Sequence, residues 1–144
     1  MTTLADDKKR AFVASGRDTF ADIAAIASDI IYEGAAVGES TTTGTGRPLV
    51  GGDTFMGFAT RRCDNASGAA NAKKIRIQTA GFVKLPVTGV DNVNDYDAAV
   101  YAVDDDTFTL TSTTGHTQIG KVAGYEDTSG YAIVYFESSA IRSI

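Results

Sequence analysis

The chain has one cysteine, one histidine, two prolines and no tryptophan in 144 residues. A lone Cys63 excludes an internal disulfide, and with it a fold that depends on oxidation. A lone His116 excludes a histidine-rich metal set, and no Ser-His-Asp or Cys-His signature surrounds it. It falls in STTGHT, an expected exposed turn. An excess of basic residues is also missing: 13 Lys and Arg stand against 18 Asp and Glu, giving a net charge of −5. That balance argues against a general nucleic-acid binder and against docking on an anionic membrane, both of which need concentrated positive surface. No apolar run approaches the roughly 20 residues that span a bilayer. The first 16 residues mix charges and lack the apolar stretch of a secretory signal.

What is present is glycine, threonine and short β-prone runs. At 15.1 kDa the chain fits one domain large enough to bury a real core. Residues 75–87 alternate: Ile75, Ile77, Val83, Leu85 and Val87 share one parity, and Arg76, Gln78 and Lys84 the other. This predicts a half-buried strand, bent near Gly81, with Pro86 marking an edge or terminus. Residues 55–62, 98–103, 107–113, 117–126 and 129–137 also read as strands. In the last of these Tyr131, Ile133 and Tyr135 face one way and Ala132, Val134 and Phe136 the other, so both faces are apolar. Such a strand belongs inside a barrel or under a neighbouring subunit. The segment 34–54 is punctuated by glycine, and within it STTTGTGRP (40–48) reads as a surface loop, as do the small-residue stretch 63–74 and the turn-rich 89–97. Phe20, Ile23, Ala24, Ala27 and Ile31 recur at helical spacing behind Thr19, which predicts a short helix near 20–28, followed by a strand from Ile30 to Glu33.

The expected fold is therefore mainly β, a small β-barrel or β-sandwich with one short helix and an N-terminal arm. Residues 1–18 form the arm, because they hold few apolar groups, and residues 19–144 form a single β-rich domain. Lys8, Lys9, Arg10, Phe12 and Val13 make the arm a candidate contact segment that adds a strand to a partner's sheet edge. On this reading the domain stays folded when residues 2–14 are deleted.

The densest cluster of reactive side chains is Asp104, Asp105 and Asp106, inside AAVYAVDDDTFTLT. Consecutive carboxylates on an extended chain point apart, and no glycine or glutamate follows at calcium-loop spacing. The residues read as a solvated hairpin turn, so that Asp105→Asn shifts stability by less than ~0.5 kcal/mol. In DNVNDYD (91–97), Val93 breaks the calcium pattern. Cys63 follows Arg61 and Arg62, but no catalytic partner is legible, and TGTGRPLVGG lacks a phosphate-binding glycine pattern. Asn65-Ala66-Ser67 is a formal glycosylation sequon without a signal peptide. No catalytic, metal or cofactor constellation emerges.

The order of DIIYEGAAVGE (29–39), RPLVGGDTFMGFATRR (47–62), IRIQTAGFVKLPVTG (75–89), DAAVYAVDDDTFTLT (97–111) and IGKVAGYEDTSGYAIVYFE (119–137) resembles the small, β-rich capsid decoration, or cement, proteins of tailed bacteriophages. The resemblance covers about residues 29–137. It implies a non-enzymatic virion protein, made in the bacterial host cytoplasm, that binds the major capsid protein on the outer surface of the capsid. There it stabilises the mature head, commonly as a homotrimer, with no cofactor. A tail, fibre or adhesin subunit shares the same composition, and a small β-barrel enzyme is the remaining alternative.

Overall fold

The computed structural model describes residues 3–13, 19–40, 44–90, 95–126 and 131–139. Parts of the expected arm (1–2 and 14–18) and of the expected loops (41–43 and 91–94) lie outside the described residues, as do residues 129–130 of the last expected strand.

The organising element is the long strand β8 (Lys74–Thr88). It is bent where the parity of its buried side chains slips. Ile75 and Ile77 point inward, then Gln78 and Ala80, then Val83, Leu85 and Val87. Gly81, at φ 150°, stands at the slip, where a β-branched residue is strained. The bend lets one strand serve two cores.

The C-terminal half of β8 belongs to a closed five-stranded barrel. Around it run β9 (Ala99–Ala102), β10 (Phe108–Thr109), β11 (Thr117–Glu126) and β12 (Tyr131–Glu137). The order is β8–β12–β11–β9–β10, and β10 closes the ring by pairing parallel to β8 at Val87 and Thr88. Closure leaves no bare edge on these strands. Val83, Leu85, Val100, Ile119, Val122, Ala132, Val134 and Phe136 fill the interior. Phe55 and Phe58, from β6 (Thr54–Ala59), pack among them, with Phe58 and Phe136 edge to face at 4.9 Å.

The N-terminal half of β8 carries the second core. β6 pairs with it on one side and β2 (Thr19–Ala24) on the other. β4 (Ala36–Glu39) and β5 (Gly46–Pro48) extend the sheet from β6. The bridge Ala25–Gly46 then brings the end of β5 back against the end of β2. β3 (Asp29–Ile31) and β7 (Cys63–Asn65) form a separate two-stranded sheet. This core gathers Ala25, Ile31, Val37, Ala59, Cys63, Ile75 and Ile77.

Two expectations are corrected here. The helix near 20–28 is a strand. Phe20 and Asp22 stand opposite Gln78 and Arg76 of β8, where the Arg76 guanidinium lies over the Phe20 ring and meets Asp22 at 3.5 Å. Pairing along six residues outweighs a weak helical spacing. The expected loops at 40–48 and 63–74 contain β5 and β7, and β4 lies in the glycine-punctuated stretch before them. Their glycines answer to packing: a Cβ on Gly38 would meet the Asp53 carboxylate, and one on Gly46 the Ile23 and Ile75 side chains. Pro86, two residues before the end of β8, pairs with Tyr131 of β12 on one side and stands at an edge gap on the other, as expected. Lys84 N–H donates to Ala11 O, so by alternation the N–H that Pro86 lacks falls on the same side, between that bond and the start of β10.

Candidate functional site

The described part of the expected arm, residues 3–13, packs against the domain. β1 (Phe12–Val13) pairs antiparallel with β8, and Phe12 sits edge to face with Phe58 at 6.2 Å and Phe136 at 6.1 Å. Arg10 goes deeper: its side chain is 2% exposed, and its guanidinium lies over the Phe58 and Phe108 rings. It donates to Gly34 O at 2.6 Å and to Asp106 Oδ1 at 2.8 Å. Lys8 Nζ meets the same Asp106 carboxylate at 3.0 Å. Of the five sequence candidates, Lys8, Arg10 and Phe12 are thus committed within the chain, while Lys9 and Val13 are exposed. Charge followed by an aromatic reads from sequence as a free sticky tail. Only the distance to Asp106 and Phe58 reveals a buried cation.

The aspartates do form a turn between β9 and β10. Asp104 Oδ1 accepts the Asp106 N–H at 2.9 Å, the local bond that favours Asp in turns. The turn is not solvated, however. Asp105 is 1% exposed; its backbone carbonyl accepts the Ala36 N–H, and its Oδ1 accepts the Leu4 N–H at 3.2 Å. Burial, and next the neighbouring carboxylates Asp104 and Asp106, push the Asp105 carboxyl up to about 6 against the pull of the Leu4 N–H. A groove of about 890 Å³ runs beside the turn, bounded by Thr3, Leu4, Tyr32, Arg47, Asp104 and Asp105. Arg47 is held in a bidentate pair by Asp53, at 2.7 and 2.9 Å. Among the described residues no group of three or more His, Cys, Asp or Glu is placed to hold a metal ion.

The other reactive groups are tied down. Cys63 is buried, which pushes its thiol up rather than down. Arg62 is drawn away to Asp6, Asp7 and the Tyr32 ring. Thiol reagents are therefore expected to modify Cys63 at the rate of domain opening. Modification of the folded protein as fast as that of the urea-unfolded chain would contradict this burial. Asn65 is buried as well, its amide donating to Ile26 O and Ala69 O, so the sequon is closed in the folded state. His116 is half-buried rather than exposed, with Nδ1 2.9 Å from Thr111 O.

The outer face of the barrel carries a feature that sequence parity half revealed. Val13, Phe82, Tyr135 and Lys121 stand directly opposite one another on β1, β8, β12 and β11, one in-register row across four strands. Phe82 and Tyr135 meet edge to face at 5.2 Å. Beside them Gly120 and Ala123 leave a shallow groove of about 480 Å³. Tyr131 and Ile133 continue the face along β12, with Tyr131 38% exposed.

Comparison with known proteins found no matching family model and no matching curated protein.

Proposed function

We propose that the protein is a structural subunit of a tailed-phage virion. In this reading it binds the major capsid protein on the outer surface of the head, self-associates as a homotrimer, and reinforces the mature shell. The observation that carries the reading is the apolar outer row Val13–Phe82–Tyr135, continued by Ile133 and Tyr131, on a barrel whose interior is already filled by its own side chains. A face of this kind is covered in an assembly more often than left to water. Self-association through it would present three copies of each capsid contact at once, and avidity would multiply contacts that are individually weak. The segmental resemblance over residues 29–137 supplies the shell as the partner.

The packing of Lys8, Arg10 and Phe12 moves the capsid-contact proposal away from a free arm. Of the N-terminal candidates, Lys9 remains available for the capsid, since Val13 belongs to the self-association row. Sedimentation of the purified protein with expanded and unexpanded heads tests the reading. Light scattering on the free protein tests the trimer, and a monomer both free and after release from heads would count against it.

A further inference from the structure

We propose that residues 3–8 form a strap whose closure over the aspartate turn is controlled by the protonation of Asp105. The geometry is a clamp with two unequal ends. At one end Arg10 and Phe12 are buried and fixed by Asp106, Phe58 and Phe136. At the other, Leu4 is held by its N–H on the Asp105 carboxylate, and Leu4 and Thr3 form one wall of the groove in which Asp104 and Asp105 lie. Between them the strap is tied by Lys8 N–H to Glu33 O at 2.8 Å and by Glu33 N–H to Asp7 Oδ1 at 2.9 Å.

The charged groups around Asp105 are mostly spent or of the wrong sign. Asp104 and Asp106 flank it on the turn. From the strap come Asp6, Asp7, Lys8, Lys9 and Arg10. Asp29 and Glu33 lie on and after β3, and Arg47 with Asp53 on β5 and the turn before β6. Lys8 and Arg10 pair with Asp106, Arg47 with Asp53, and Arg62 with Asp6 and Asp7. Lys9 is exposed. Among the described residues no cation meets Asp105, so nothing compensates its charge once it ionises.

Lifting the strap gives the Asp105 carboxyl back to water, where it titrates as an ordinary aspartate. The closed form therefore keeps a proton, up to about pH 6, that the open form releases near pH 4. Because the closed-state value is the raised one, closure is favoured most at acid pH and loses that advantage as pH rises through 6. A shift of about two units allows the opening constant to rise by up to about a hundredfold. The device belongs to this chain whichever partner it binds.

Amide hydrogen exchange on the full chain, corrected for intrinsic rates, measures the opening. Between pH 5 and pH 8 the Leu4 and Lys8 amides should lose about tenfold in protection, the rest of the hundredfold falling below pH 5, and at every pH they should stay less protected than Val83 and Val134 in the barrel. Asp105→Asn retains an acceptor for Leu4 without the charge, and should hold strap protection constant over the same range. A loss below threefold in the unmodified protein overturns the proposal, as does the same loss in Asp105→Asn. Protection at Leu4 and Lys8 as high as at Val83 and Val134 also overturns it, because the opening is then global. The unmodified protein alone decides the matter if the variant does not fold.

Discussion

Arg10→Ala is expected to lower the unfolding free energy by about 3–5 kcal/mol, the cost of removing one partner from a buried ion pair. The guanidinium is almost fully enclosed, and three kinds of contact end with it: the Asp106 carboxylate, the Gly34 carbonyl and the Phe58 and Phe108 ring faces. Asp106 keeps Lys8 as a partner, but the Lys8 side chain is more than a third exposed and sits at the rim, so it cannot fill the vacated space. Arg10→Lys should recover only part of the loss, because an ammonium cannot bond Gly34 and Asp106 with a planar fork. Urea denaturation at pH 7 measures both. A loss under about 1 kcal/mol for Arg10→Ala, the scale of a surface pair, would show that the N-terminal segment is dispensable. The same packing reverses the expectation for truncation: deleting residues 2–14 removes Arg10 and Phe12 and should destabilise the domain.

The second large effect separates the two faces of β12. Val134 is fully buried in the barrel, between Val122 of β11 and Val83 of β8. Val134→Asp places an unpaired charge among apolar side chains, and the domain is expected not to fold, since that cost is comparable to a whole domain's stability of about 5–15 kcal/mol. Tyr135→Asp, one residue on, points outward beside Phe82. It should leave a folded barrel and, on the proposed reading, prevent trimer formation. Circular dichroism reads the first result and light scattering the second. A folded Val134→Asp domain would contradict the barrel assignment, and a Tyr135→Asp protein that still forms trimers would remove this face from the interface.

The strands that were legible in the sequence are those whose neighbours matter least to their pattern. In β12, Ala132, Val134 and Phe136 alternate with Tyr131, Ile133 and Tyr135, and the structure buries the first set and turns the second outward. β8 was legible for the same reason, and Gly81 marked its bend. β4, β5 and β7 were not, because strands of three or four residues containing Gly38 and Gly46 carry no measurable period. In β2, Phe20, Ile23 and Ala24 fit the helical period, but pairing with β8 turns Ala21 and Ile23 toward the core and leaves Phe20 exposed. The aspartate turn was legible as a turn. Its burial was not, because Leu4, Lys8 and Arg10 reach it from about a hundred residues away in the chain. The expectation that Asp105→Asn changes little therefore gives way to a pH-dependent one. Above pH 6 the variant should be more stable than the unmodified protein, since it removes a buried charge that folding must accommodate.

The central claim is that the protein decorates a phage head. Co-sedimentation with purified expanded heads, followed by densitometry of the pellet, tests it most directly. The account predicts saturable binding whose stoichiometry is a multiple of three copies per site and which Tyr135→Asp reduces. Protein that remains in the supernatant with both expanded and unexpanded heads, at concentrations where it is folded and trimeric, would contradict it.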